Sequence, residues 1–147
     1  MGQPAASVVA CADEAVAREI ADLIAQPTFR LYTNNDIVGC EIGGVVKNVI
    51  AIASGIVEGM GFGDNSKATL ITRGLAEMSR LGVALGANPS TFTGLAGIGD
   101  VVATCASAQS RNTAVGVRLG KGESIESIIG SMKMVAEGVR SSLSVLQ

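Results

Sequence analysis

The hydrophobic and polar positions in the first 33 residues predict a β-α-β unit. The apolar run at residues 7–11 is typical of a buried strand, and Asp13 after it favours a helix N-cap. Pro27 stops this helix, and the alternating residues 29–33 predict a second strand. The apolar residues on one face of the helix are Val16, Ile20, Leu23 and Ile24. Since a single unit exposes both edges of its sheet, the pattern indicates the end of a larger parallel sheet.

After residue 35 the pattern changes to long helices. Residues 37–60 are an apolar segment of helix length, interrupted by glycines that favour close packing against another helix or a ligand. Further helix starts are predicted near residues 65 or 66, 89, 101 and 110. The glycines at 94, 97 and 99 are expected to break the helix that starts near residue 89, just before Asp100. Residues 135–147 are expected to form a buried helix cut off in mid-turn. The chain is therefore predicted to be mainly helical.

The composition narrows the classes of function. The chain has 147 residues, a net charge of −2 and no histidine, so it lacks a basic surface for nucleic acid, the commonest metal ligand and the commonest general base. Its three scattered cysteines are typical of reduced thiols in a cytoplasmic protein. The mean hydropathy is +0.43, but the uncharged stretch 48–57 is shorter than a membrane span. We expect no membrane insertion, no nucleic-acid partner and no metal.

Lys47 is the first candidate for chemistry. It lies in the apolar sequence GGVVKNVIAI, where an ammonium is costly unless it meets an anion or hydrogen-bonding partners. Gly43 and Gly44 lie one turn earlier and leave room for a ligand beside the amine. The alternative is a lysine that extends from a buried helix to the surface.

Two further segments suit an anion. The sequence GLAGIGD, residues 94–100, superficially resembles a phosphate cradle, but it lacks the GxGxxG spacing and does not follow a strand; Asp100 could equally cap the next helix. Ser110-Arg111-Asn112 at a helix start combines backbone N–H groups with a guanidinium, which suits a phosphate, although a solvated surface arginine fits as well. The glycines at 120 and 122 follow a predicted helix rather than a strand, and are more typical of a turn than of a phosphate-binding loop.

Together these sequences resemble the NAD(P)-dependent glycerol-3-phosphate dehydrogenase family of the bacterial type. The distinctive matches are GGVVKNVIAI, GLAGIGDVVATC, QSRN and VAEG, in this order, within a likeness that runs from about Ala6 to the last residue. The resemblance implies a fold that ends a Rossmann-type parallel sheet (α/β) in residues 1–35 and continues as an all-α substrate-binding domain, truncated, in residues 36–147. It also implies that the glycine-rich dinucleotide loop is absent from this chain.

The resemblance assigns roles residue by residue. Lys47 matches the catalytic lysine that transfers a proton to and from the substrate oxygen. The residues that match substrate-binding positions are Lys47, Asn48, Asp100, Thr104, Ser110, Arg111 and Asn112. Those that match positions contacting the NAD or NADP cofactor are Arg111, Val135 and Glu137.

The implied reaction is hydride transfer between a nicotinamide and the dihydroxyacetone phosphate/sn-glycerol 3-phosphate pair, which supplies glycerol phosphate for phospholipid synthesis. The implied partners are a small phosphorylated substrate and a second copy in a homodimer. Two alternatives stay open: a related Rossmann-plus-helical dehydrogenase of another hydroxy acid, and a non-catalytic helical interaction domain. The isolated chain is expected to be inactive, since it lacks the pyrophosphate-binding loop.

Overall fold

The predicted β-α-β unit forms the beginning of the fold. The computed structural model describes residues 3–132, 134 and 136–145. The unit consists of β1 (Ala5–Ala10), α1 (Glu14–Ile24) and β2 (Phe29–Asn34). The two strands pair in parallel, and the carboxylate of Asp13 accepts hydrogen bonds from the first turn of α1. The predictions of a parallel unit and of the Asp13 cap are confirmed.

Burial in this unit differs from the prediction. The strand predicted at residues 7–11 lies at Ala5–Ala10 and is mostly exposed, so the expectation of a buried strand is wrong. The apolar face of α1 is also exposed, with Leu23 at 85%, and the helix buries only Ala17 and Ala21. The physical reason is that β1 and β2 form a two-stranded sheet, and two strands cover little apolar surface.

The rest of the described chain is helical. The helices are α2 (Ile37–Gly59), α3 (Asp64–Ala84), α4 (Pro89–Phe92), a π-helical turn (Leu95–Gly99), α5 (Asp100–Ala106), α6 (Arg111–Gly120), α7 (Ile125–Ser131) and α8 (Glu137–Val145). The long apolar helix at residues 37–60 is confirmed to within one residue. Gly122 has a φ of +90°, which agrees with the turn predicted there.

Three predictions about the helices differ, wholly or in part, from the structure. Helix α3 begins at Asp64 rather than at 65 or 66, and no side chain caps it. Helix α4 ends at Phe92, before Gly94, as predicted. Gly97 and Gly99, however, do not break the helical chain, because residues 95–99 form a π-helical turn that continues directly into α5. Helix α8 is largely exposed and buries only Gly138, so the predicted buried helix is wrong over the described residues. Residues 146 and 147 lie outside the described ranges.

Helix α2 is the central element of the helical part. It contacts α3, α4, α5, α6, α8 and the π-helical turn. Its side chains Val46, Ile50 and Ala51 join Met78 of α3 and Val101 of α5 in the main hydrophobic core. By length and composition alone α2 could cross a membrane, but its contacts with the surrounding helices are those of a core helix. This packing holds the middle of α2, where Lys47 lies, against α5 and α6.

Candidate active site

Helix α2 carries Lys47 and Asn48 into the centre of the helical part. Asp36 caps the start of the helix, and its carboxylate accepts from the N–H of Gly39. Further along, a Cβ on Gly55 would lie 2.2 Å from the carbonyl oxygen of Thr113, so only glycine permits this approach of α6. The prediction that glycines in this helix mark close backbone packing is confirmed at this position.

Lys47 pairs with Asp100. Its Nζ lies 2.5 Å from Oδ2 of the aspartate, and the side chains are 24% and 38% exposed. The lysine therefore meets an anion within the protein, rather than extending alone to the surface. Asp100 does not cap α5, so the capping alternative is wrong.

This ion pair lies in a cleft of about 450 Å³. The cleft is lined by Ala6, Ser7 and Val8 of β1, Cys40 and Lys47 of α2, Leu95, Ala96 and Gly99 of the π-helical turn, and Asp100 and Ala103 of α5. A cavity of about 680 Å³ adjoins this cleft and shares Ala6, Leu95 and Gly99 with it, and one of about 880 Å³ lies between α2 and α3; neither is lined by Lys47 or Asp100. We place the candidate site in the smaller cleft, because convergent charged groups identify a site better than volume does.

Thr104 connects Asp100 to the start of α6. Its hydroxyl donates to the carbonyl oxygen of Asp100 at 2.6 Å and lies 3.5 Å from the carboxylate. Its own carbonyl oxygen accepts from the hydroxyl of Thr113 at 3.2 Å. The Thr113 hydroxyl also lies 3.0 Å from that of Ser110, which caps α6 by accepting from the N–H of Thr113. Asp100, Thr104 and Ser110 therefore belong to one hydrogen-bonded chain.

Asn48 and Asn112 form a second, buried chain. Asn112 donates from Nδ2 to Oδ1 of Asn48 at 3.0 Å, and its Oδ1 accepts from the N–H of Gly138 at 2.9 Å. Asn48 in turn donates to the carbonyl oxygen of Gly44. The two amides therefore hold α2, α6 and the first turn of α8 together.

Of the three residues predicted to contact the cofactor, the structure describes Arg111 and Glu137. Arg111 at the start of α6 faces Glu137 at the start of α8, with 3.9 Å between the charged atoms, and both side chains are exposed. Val135 lies outside the described residues. The remaining predicted residues fall into three sets: Lys47 with Asp100, Thr104 and, through Thr113, Ser110; Asn48 with Asn112; and Arg111 with Glu137.

Sequence reasoning did not single out Thr113 or Gly138. Thr113 lies three residues after the Ser110 cap, and the spacing from cap to third helical residue could have identified it. Gly138 contributes a backbone N–H, and a Cβ there would lie 2.7 Å from the carbonyl oxygen of Asn48. Nothing in the local sequence indicates that contact.

Two groups at or near the cleft, Cys40 and Asp36, have shifted pKa values. Burial and the charge of Asp36 raise the pKa of the Cys40 thiol in the cleft, so it is protonated at neutral pH. Desolvation opposes ionisation of Asp36, but hydrogen bonds from Thr91, Gly39 and Asn88 outweigh it and lower the pKa of the carboxyl. The described residues contain no cluster of three potential metal ligands.

Comparison with known proteins gives the family. Residues 36–147 match the family described as "NAD-dependent glycerol-3-phosphate dehydrogenase C-terminus". The chain belongs to the NAD-dependent glycerol-3-phosphate dehydrogenase family. It is 58% identical over 145 residues to glycerol-3-phosphate dehydrogenase [NAD(P)+] 2 of Sphingopyxis alaskensis, covering 99% of the chain and 44% of that protein. It is 61% identical over 143 residues to the Streptomyces coelicolor enzyme, covering 97% of the chain and 43% of that protein.

The fold agrees with this family. The structure is similar to the crystal structure of glycerol-3-phosphate dehydrogenase from Coxiella burnetii, with a TM-score of 0.93 and 39% identity over 98% of this chain and 44% of that one. The enzyme of Dunaliella salina gives a TM-score of 0.89 at 26% identity over 99% of this chain and 26% of that one. The α/β remnant followed by helices, predicted from the sequence, is therefore confirmed. The chain spans less than half the length of these glycerol-3-phosphate dehydrogenases.

Proposed function

We propose that this chain forms the substrate-binding part of an NAD(P)-dependent enzyme that interconverts dihydroxyacetone phosphate and sn-glycerol 3-phosphate. The observation that carries the proposal is the Lys47–Asp100 ion pair in a cleft, within a chain of this family. We further propose that residues 1–35 end the dinucleotide-binding domain and that residues 36–147 belong to the substrate-binding domain. The family match that begins at residue 36 supports this boundary.

Lys47 is the proposed proton-transfer residue. A bound nicotinamide dinucleotide supplies the hydride when the ketone is reduced. Negative charge then grows on the ketone oxygen, and the Lys47 ammonium stabilises it and donates its proton there. In the reverse direction the neutral amine removes the hydroxyl proton. Asp100 contacts Nζ and holds the amine in place, and its second carboxylate oxygen, near Thr104, can accept from a substrate hydroxyl.

Arg111 is the proposed phosphate ligand. Its guanidinium is exposed at the first turn of α6, where the helix dipole also favours an anion. Binding the phosphate at a distance from the reacting carbon positions the ketone against Lys47. Asn48 and Asn112 are proposed substrate-site residues, and their hydrogen bonds to each other and to Gly138 support a rigid wall behind the substrate. Ser110 fixes the start of α6 through its cap.

The residues at the first turns of α6 and α8 fit a dinucleotide. Arg111 offers a cation for phosphate oxygens, and Glu137 offers an exposed carboxylate that accepts from hydroxyl or amide groups. We propose Arg111, Glu137 and Val135 as cofactor-contacting residues. We also propose that the full protein supplies glycerol phosphate for phospholipid synthesis, is cytoplasmic and not inserted in a membrane, and forms a homodimer.

A chimera tests the proposed reaction. This chain replaces the matching residues of the Streptomyces coelicolor relative, and NADH and NADPH oxidation is followed with dihydroxyacetone phosphate. We expect turnover by the chimera and none by the isolated 147-residue chain, because that chain contains no GxGxxG loop. The intact relative serves as the control. A folded chimera that does not reduce dihydroxyacetone phosphate but reduces a phosphate-free keto acid would overturn the proposal.

A further inference from the structure

Gly44 differs from the other glycines of α2. A Cβ built on Gly39, Gly43, Gly55 or Gly59 would lie between 2.1 and 2.4 Å from another protein atom, so close packing explains each of them. A Cβ built on Gly44 has no neighbouring protein atom within 4 Å. Glycine in a helix interior lowers helix stability relative to alanine. Packing within the described protein therefore gives no reason for glycine at this position.

The open side of Gly44 lies in the sector of α2 between the side chains of Lys47 and Asn48. At about 100° per residue, the Cβ direction of Gly44 lies about 60° from that of Lys47 and about 40° from that of Asn48 around the α2 axis. Lys47 reaches Asp100 on α5, and Asn48 meets Asn112 on α6. The missing side chain would therefore project between these two contacts, one turn before them along the helix.

We propose that Gly44 is a substrate-contact position: the phosphorylated three-carbon substrate lies against the bare backbone at this residue, beside the Lys47 amine. The inference rests on the proposed function, since that function places the reacting carbon at Lys47. A Cβ at position 44 would occupy the space of the ligand without meeting the protein's own atoms, since none lies within 4 Å of it. Gly44 thus limits the size of the group that fits next to the amine.

The test compares three variants in the chimera: Gly44→Ala, Gly44→Leu and the control Gly130→Ala. Gly130 lies in α7, and a Cβ there also has no neighbour within 4 Å. Both alanine variants should raise the midpoint of urea unfolding, because alanine favours the helix. Only the Gly44 variants should raise KM for dihydroxyacetone phosphate, by about tenfold for alanine and more for leucine, with KM for NADH unchanged.

A purely structural role would not separate stability from KM in this way. A Gly44→Ala protein with raised stability and unchanged KM for the ketone would overturn the inference, and so would an increase confined to KM for NADH. Loss of stability in Gly44→Ala would overturn it as well, because it would show that protein atoms fill this space. An unmodified chimera that does not turn over the ketone would refute the proposed function itself, which is a distinct outcome.

Discussion

The side-chain amide of Asn112 donates a hydrogen bond to Oδ1 of Asn48 at 3.0 Å, which joins α6 to α2. Asn48 directly follows Lys47 in the sequence, and Asn112 directly follows Arg111. Both amides are buried, and the Asn112 oxygen also accepts from the N–H of Gly138. Together with the close approach of Gly55 to Thr113, this contact fixes how the proposed proton-transfer lysine and the proposed phosphate ligand lie relative to each other.

Asn112→Ala should destabilise the protein. It removes the partner of the Asn48 oxygen and of the Gly138 N–H, and each buried unpaired group costs about 1–3 kcal/mol. We expect a loss of about 2–4 kcal/mol in the free energy of unfolding by urea. Gln109→Ala, in the exposed turn before α6, is the control and should change it by less than about 0.5 kcal/mol. Equal stability of the Asn112 variant and the parent would contradict the structural role of the amide chain.

Lys47→Ala should abolish most catalysis without unfolding the protein. In the chimera we expect kcat to fall by about 10²–10⁴-fold, because the ketone oxygen loses its proton donor. Circular dichroism checks the fold, and Lys121→Ala, in the exposed turn after α6, is the matched control. Near-normal turnover in Lys47→Ala would remove this lysine from the proposed mechanism.

Arg111→Ala should act on binding rather than on turnover at saturation. Loss of a charged hydrogen-bond donor to the phosphate should raise KM for dihydroxyacetone phosphate by roughly 10- to 100-fold. Arg80→Ala, an exposed arginine of α3, should leave KM unchanged. If both variants show the same KM as the parent, the phosphate is held elsewhere.

Asp36 should make the fold sensitive to acid. Its pKa lies below the ordinary value of 3.8, because the hydrogen bonds from Thr91, Gly39 and Asn88 outweigh desolvation. A lowered folded pKa contributes stability that is present above the unfolded pKa and is lost as the pH falls through the folded pKa. The stability difference between the parent and Asp36→Asn should therefore be constant from pH 5 to 7 and shrink below about pH 4.

Urea unfolding at a series of pH values measures this difference. Thr91→Val is the companion variant, because it removes one of the three hydrogen bonds and should reduce the difference without abolishing it. A difference that grows on acidification would mean that the Asp36 pKa is shifted in the opposite direction.

The positions of helices and strands were predicted better from the sequence than the burial of their faces. The Asp13 cap and the parallel strands follow from local patterns, and both are present. The predicted apolar face of α1 is exposed and the helix buries Ala17 and Ala21 instead, because periodicity cannot tell whether a neighbouring layer covers a face. The π-helical turn was missed because π-helices are rare and glycine more often marks a break.

In the candidate site, too, local sequence patterns identified single residues but not their long-range contacts. Residue chemistry alone singled out Lys47 as an amine in need of an anion, whereas Asp100 lies 53 residues further along the chain and only the family resemblance joined the two. The amide chain through Gly138 could not be foreseen, because its donor is a backbone group. Backbone donors carry no residue-specific signal in a sequence.

Strand β1 supplies one wall of the Lys47 cleft through Ala6, Ser7 and Val8. A protein trimmed to start at residue 36, where the family match begins, would keep every charged group of the site but would open it to bulk water on that side. The residues matched by the family model and the residues that enclose the candidate site therefore have different limits in this chain. Shortened variants of the chain should retain the strand.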